Sequence, residues 1–301
     1  MGGYSFGAGM PTYNGMPMLG GNDVELTGGK VFWVDSGLAG NNPTGLSPTR
    51  PLATINAALA LTSANRCDII FCMPGHTETI AAAGGVFAST NGVRIIGLGI
   101  GSLRPTLNFS TASTATFSVS ADNVKLKNFY MDMTKVNAIP YGLSINGNGF
   151  WMDNCEIYFA KTSYVATCVV STLSSTLTRL KLTNNYIHGD AVASCTNAIQ
   201  DLGGDSHVYQ GNTIVGNFTT TLGCINNVTP GPLTNVQIDN NWLANRTAAA
   251  QKVIVLYSGD TGFITNNRMA NASATSPITA AGTWVGGNYW QSAAATSATL
   301  L

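Results

Sequence analysis

The chain has 301 residues, and its 14 basic and 14 acidic side chains cancel to a net charge of zero at pH 7. Only 9% of residues are charged while 45% are hydrophobic, which argues against a nucleic-acid partner, since that needs a basic footprint, and against an anionic membrane surface. No run approaches the ~18 apolar residues of a membrane-spanning helix, and so little charge on a soluble chain implies that much of the surface meets protein, in an oligomer or a larger assembly.

Residues 1–29 are rich in Gly, Met, Pro and Tyr, nearly without charge and without period. They cannot bury a core of their own, and the reading is an extended arm that orders on a partner. Its contact residues would be Tyr4, Phe6, Met10, Tyr13, Met16, Met18 and Leu19, because Met adapts to irregular contacts and Tyr is favoured at interfaces. Met1–Met10 has neither a basic nor an apolar region of the secretory kind, so no signal peptide is expected and the host cytoplasm is the expected place of synthesis.

Residues 30–83 read as a strand (Val31–Val34), a Gly/Asn/Pro loop, a short helix at about Leu52–Leu61 and a strand (Asp68–Met73) closed by a Pro74-Gly75 turn. Thr54 or Pro51 would start the helix, with Ile55, Ala58, Leu59 and Leu61 as its apolar face.

Residues 84–292 carry a repeat. Gly97, Asn128, Asn154, Asn184, Gly211, Asn240, Asn266 and Gly287 form a column in which an apolar residue stands two positions before and three positions after. Before the column residue the apolar positions alternate, as in a strand with one buried face: Val124 and Leu126, Leu180 and Leu182, Val236 and Ile238. After it the parity slips by one, which flips every side chain unless the backbone bends there. Asn and Gly tolerate the left-handed conformation such a bend needs. Each unit is therefore strand, corner, strand and variable return. Asn185, Asn212, Asn241, Asn267 and Asn288 follow the column residue in the last five units and are placed to bond along a ladder of stacked amides. Residues 293–301 carry no structural assignment.

Coils of this length with this corner resemble the right-handed parallel β-helix of pectate lyases and many phage tailspikes. Residues 30–83, with VDS, NNPTGLSP, ATINAAL and Pro-Gly, resemble the N-terminal cap of such proteins. The resemblance implies an all-β, right-handed, single-stranded parallel β-helix with an N-terminal helical cap and an extended arm, the cap covering otherwise open edges.

Enzymes of this fold cut polysaccharides with clustered acids, and the lyases among them add Ca²⁺ and a basic residue. This chain offers few acids. Lys127, Asp153, Thr183, Gln210, Asp239 and Thr265 occupy the outward position before the corner. Asp153 and Asp239 fall three rungs apart, roughly 14 Å at the strand spacing, beyond the ~5–9.5 Å of paired catalytic carboxylates. Asp132, Glu156 and His188 lie beyond the corner on neighbouring coils and form the best candidate acid cluster. Asp201-Leu-Gly-Gly-Asp205 with His207 reads as a Gly-rich return turn, with a cation loop as its alternative. Six cysteines without a paired spacing read as buried free thiols rather than metal ligands, and no cofactor is expected.

Two positions past the corner an outward column holds Tyr130, Tyr186, Trp242, Arg268 and Tyr289, with Glu156 and Thr213 between them. It suits a subunit contact or, alternatively, sugar stacking, with a cation–π contact between Arg268 and Trp242 in either case. Trp151 and Trp284 widen the apolar outer surface. The expectation is a non-enzymatic virion protein of a bacteriophage, a capsid decoration or spike-like homotrimer whose arm meets the major capsid or another virion protein. A glycan-binding or glycan-cleaving tailspike-type solenoid is the alternative.

Overall fold

A computed structural model describes residues 29–38, 40, 43–110, 112–134, 139–159, 165–189, 194–218, 222–227, 231–247, 252–273 and 276–292; backbone alone is described at 4–5, 12–13, 16–17, 165–167, 194 and 299–300. The alternating segments do what their parity dictates: each coil lays one strand on each of three parallel stacks. The first face stacks Val31–Val34, Ile69–Cys72, Arg94–Gly97, Lys125–Lys127, Trp151–Asp153, Lys181–Thr183, Val208–Gln210 and Val236–Asp239, then the C-terminal halves of Ile254–Thr265 and Ile278–Gly286. The second runs Thr77–Ile80, Thr106–Phe109, Tyr130–Asp132, Glu156–Phe159, Tyr186–Gly189, Thr213–Phe218, Trp242–Asn245, Arg268–Asn271 and Tyr289–Ser292. The third runs from Val86–Ala88 through Phe117–Val119, Ile139–Ile145, Val165–Thr172, Asn197–Asp201 and Ile225–Asn227 to the N-terminal halves of the two long strands. The fold is a parallel β-helix.

The corner column holds in seven of its eight places. Asn128, Asn154, Asn184, Asn240 and Asn266 take φ values of 62°, 52°, 56°, 53° and 55°, and Gly211 and Gly287 take 67° each. The first place is a correction. Gly97 ends its strand outside the left-handed region, and Gly99 makes the turn instead at φ 95°. A loop with a short 3-10 turn at Gly101–Leu103 then delays the second-face strand to Thr106. Ile100, expected to point inward, is consequently 83% exposed, and Leu107 and Phe109 fill the core in its stead. In the last coil Val285 and Trp290 are only partly buried against the core.

The residue after the corner points inward in every later coil. Phe129 and Cys155 fill that place in two coils, and the five asparagines fill it in the next five, all at most 2% exposed. Each asparagine donates its backbone N–H and its Nδ2 to the Oδ1 of the next, at 2.8 to 3.0 Å, from Asn185 through Asn212, Asn241 and Asn267 to Asn288. Cys155 N–H starts the ladder by donating to Asn185 Oδ1 at 3.0 Å. Bonds in both directions along the stack satisfy amides that would otherwise be costly to bury.

The helix is shorter than the sequence suggested. It spans Ile55–Leu59, with Thr54 as N-cap accepting from Ala57 N–H at 3.2 Å. Ile55, Ala58 and Leu59 join the core, but Leu61 is 47% exposed, because the chain has already left the helix. The helix packs against Val31–Val34, Ile69–Cys72 and Val86–Ala88, and Asn56 fastens it by donating to Gly85 O and accepting from Phe87 N–H. In the arm, Tyr4–Ser5, Thr12–Tyr13 and Met16–Pro17 pair as a small antiparallel sheet. The proposed contact residues Phe6, Met10, Met18 and Leu19 lie outside the described residues, as do the side chains of Tyr4, Tyr13 and Met16.

The corner can be tested at Asn240, which is exposed and whose φ is 53°. Asn240→Gly is expected to leave the denaturation midpoint unchanged or raise it slightly. Asn240→Val is expected to cost about 1–2 kcal/mol, because a branched side chain is strained in the left-handed region. Equal midpoints for the two variants would remove the corner's conformational role.

Candidate functional site

Chemistry accessible to solvent lies on the outer side of the second face, where the register brings two columns together. One runs Tyr130, Glu156, Tyr186, Thr213, Trp242, Arg268, Tyr289, each level with the next. Beside it, two residues on, run Asp132, Tyr158, His188, Val215, Ala244, Ala270 and Gln291. The columns differ between their two halves.

In the N-terminal half, two of the three candidate acid-cluster residues meet. His188 Nε2 lies 3.1 Å from Glu156 Oε1, while Arg104 donates to Glu156 Oε2 at 3.2 Å. The His188 ring is stacked 4.1 Å from Tyr186 and 4.8 Å from Tyr158, which fixes its plane. Asp132 does not complete a triad. It stands two rungs from His188, with Tyr158 on the rung between, and accepts from the Thr134 backbone N–H and hydroxyl. Arg104 comes from the loop that replaced the first corner, so the repeat gave no sign of it. With Gly101, Ser102, Thr106 and Tyr130 these residues line a cleft of about 400 Å³. Burial, then the charges of Asp132 and Glu156, raise the Tyr130 phenol above its ordinary pKa. Both Glu156 oxygens thus already hold cationic or ring N–H partners, an arrangement that orients the carboxylate.

The first-face acids are also engaged. Asp153 accepts from Thr183 and Asn184 at 2.8 and 3.0 Å and lies 3.6 Å from Lys127 Nζ. Asp239, three rungs away as expected, accepts from Thr265, Asn266 and Gln210 at 2.7, 3.0 and 3.1 Å. Partial burial would raise its pKa, but those three donors outweigh it and hold the carboxyl below the usual carboxylate range. Such a group keeps no proton to give at neutral pH.

A third cluster lies inside the solenoid. Asp201, His207 and Tyr209 are fully buried. His207 Nδ1 is 2.7 Å from Asp201 Oδ2 and Nε2 is 3.0 Å from Leu177 O, so both ring nitrogens face acceptors and only the imidazolium satisfies both. Tyr209 donates its hydroxyl to the same Asp201 oxygen, and Thr172 donates to Asp201 Oδ1 at 3.1 Å. The Gly-rich segment expected as a return turn does turn, through Gly203 and Gly204, but Asp201 and His207 are core groups rather than loop ligands. Parity held the clue: His207 stands four positions before Gly211, as the inward Leu180 and Val236 stand before their own corner residues.

The C-terminal half of the outer columns is open. Trp242 and Tyr289 are 57% and 54% exposed, and Arg268 stands level between them. Beside them the bulky Tyr158 and His188 of the other half give way to Ala244 and Ala270. In place of the expected cation–π contact of Arg268 with Trp242, the described residues show two on the first face, where Lys125 Nζ sits 3.5 Å and Lys181 Nζ 5.9 Å from the Trp151 ring centre. Trp151 is thereby partly covered, whereas Trp284 is 60% exposed.

Among the described residues no three His, Cys, Asp or Glu side chains gather to hold a metal ion, and none of their helices is long and apolar enough to cross a membrane. The cysteines are free; all are buried except Cys67, which is half-buried. Burial pushes the Cys155 and Cys168 thiols up to about 12, which makes them poor nucleophiles.

No protein-family profile matches the chain, and no curated protein does. Among solved structures it is similar to the crystal structure of pectate lyase Pel9A, with a TM-score of 0.53 and 14% sequence identity over 81% of this chain and 63% of that one. The likeness is one of fold, and the chain spans less than two thirds of the enzyme's length.

Proposed function

We propose that the chain is a non-enzymatic structural protein of a phage particle, a capsid decoration or spike-like solenoid, self-associating as a homotrimer and held to a neighbouring virion protein by residues 1–29. The observation that carries this reading is the use of its acids. Asp153, Asp239 and Glu156 accept bonds from adjacent rungs or loops. Asp68 pairs with Arg66 at 2.6 Å, Asp201 with His207, and Asp260 accepts from Asn227 and two backbone N–H groups. Among the described residues these carboxylates tie rungs and loops of the stack together, with Glu156 also lining the cleft beside Arg104. The exposed Trp284 and Phe263, 60% and 58% accessible and 6.2 Å apart on the first face, support a surface that meets protein.

Mass photometry of the full chain and of a variant lacking residues 1–29, each mixed with purified capsids, tests the reading. The full chain is expected to be trimeric and to bind, and the truncated chain to stay trimeric and fail to bind. A full chain that ignores capsids rules out the decoration role. A truncated chain that binds equally well rules out the arm as anchor.

A further inference from the structure

The two ends of the solenoid are finished differently. At the N-terminal end the first strand of every face is met by residues 36–56. On the first face Trp33 N–H donates to Gly45 O at 2.7 Å and Leu52 N–H to Trp33 O at 2.8 Å. On the second, Thr77 N–H donates to the Ser36 hydroxyl at 3.0 Å, and on the third Phe87 N–H donates to Asn56 Oδ1 at 3.0 Å. At the C-terminal end only the second face is closed, where Thr299–Leu300 pairs antiparallel with Tyr289–Ser292. Ile278–Gly286, nine residues that serve both other faces, pairs with Ile254–Thr265 and, among the described residues, with no strand beyond. Its end residues are engaged by Ser276 and Asn288, which leaves residues 279–285 as an open edge.

The last coil is open inside as well. Ile278 and Val285 stand level with Ile254 and Ile264, which are fully buried, yet they, Ala280 and Trp290 are only partly buried against the core. On the four preceding rungs of the ladder the asparagine N–H donates to the next asparagine, but Asn288 N–H has no acceptor among the described residues. Open strand edges are ordinarily defended against pairing by charge, Pro or a bulge. Here no Asp, Glu, Lys, Arg or His occurs from residue 269 to residue 301, and residues 278–286 hold no Pro.

These features select the occupant. An identical copy cannot offer its N-terminal end, which is covered. Its C-terminal end has the same cross-section, the same open strand and no charged side chain to repel its twin. The strand bends near its middle, at Gly282 with φ 90°, so a two-fold axis there sets the third-face half of one copy against the first-face half of the other. We propose that two copies of the chain dock C-terminal end to C-terminal end. Residues 279–285 of each pair antiparallel with the other's, and the two cores join through Ile278, Ala280, Val285 and Trp290. The contact leaves the lateral faces free and is independent of the phage reading.

The test is sedimentation and hydrogen exchange of the full chain over a concentration series. Whatever the lateral oligomer, particle mass is expected to double as concentration rises, and amides 279–285 to exchange about tenfold or more slowly in the doubled particle. Ala280→Lys turns a charge inward on the edge strand, from a half-buried position that lets it reach solvent while the end is open. It is expected to abolish the doubling and the added protection, with circular dichroism unchanged. Gln237→Lys, exposed on the lateral first face, is expected to keep both. A mass that never doubles, or doubling without protection of residues 279–285, overturns the proposal. So does doubling that survives Ala280→Lys or is lost in Gln237→Lys, which would mark a lateral contact. Protection that appears only when purified capsids are added would make the occupant a strand of another virion protein and overturn it too.

Discussion

Replacing Asn241 with alanine is expected to destabilise the protein by about 3–5 kcal/mol, among the larger effects a single substitution produces. The carboxamide is 2% exposed and makes four bonds. Its oxygen accepts from Asn212 N–H at 2.8 Å and Asn212 Nδ2 at 3.0 Å. Its nitrogen donates to Tyr209 O at 2.8 Å and Asn267 Oδ1 at 2.9 Å. Alanine leaves the Asn212 donors and the Tyr209 carbonyl without those partners inside the core, and a buried polar group left unpaired costs about 1–3 kcal/mol. Asn288→Ala, at the last rung and bonded to a ladder neighbour on one side only, is expected to cost less. Urea denaturation at constant m-value measures both. A cost below about 1 kcal/mol for Asn241→Ala would mean that the ladder accompanies the fold without stabilising it.

Asp201→Asn is expected to cost about 3–5 kcal/mol, the range for breaking a buried ion pair by removing one partner. The imidazolium of His207 would lose its charge partner, and a single carboxamide oxygen could not replace the two carboxylate oxygens that accept from His207, Tyr209 and Thr172. The pair also sets a pH dependence. Burial alone would lower the pKa of His207, but the hydrogen bond and charge of Asp201, with the Leu177 carbonyl, outweigh it and raise the pKa. The folded protein therefore holds this proton to higher pH than the unfolded chain, whose histidine titrates near about 6.5. The stability it contributes is fully present below that value and is lost as pH rises through the higher folded pKa. Unfolding free energies measured from pH 6 to 9 are expected to decline across that window in the native sequence and to stay flatter in His207→Gln. Identical slopes would place the proton elsewhere.

The repeat made the solenoid legible because burial and bending obey separate rules in sequence. Alternation specified the inward faces, and Asn or Gly two residues past an apolar position specified the corner, so Leu126, Asn128 and Met131 could be placed from text alone. Gly97 misled because a glycine satisfies the corner pattern without making the corner. Its coil turns at Gly99, and the extra loop brought Arg104 to Glu156. Asp132 misled for a geometric reason: proximity in coil number ignores local partners, and its carboxylate is turned to Thr134 on its own strand end, two rungs from His188 with Tyr158 between them. The opening beside Ala244 and Ala270 escaped notice because it is made by what is missing, and small residues carry no chemical signature.

Within the C-terminal half of the stack, each coil meets the same carboxamide above and below. Asn241 and Asn267 are 26 residues apart and occupy equivalent sites, so excising one such segment would set Asn212 opposite Asn267 with the same pair of bonds. Phe129 and Cys155, unlike in volume and bonding, give no such interchangeability to the half nearer the helix. Removing or adding a whole coil at the C-terminal end would keep the ladder of carboxamides continuous, so the length of the solenoid is separable from the structure of its base.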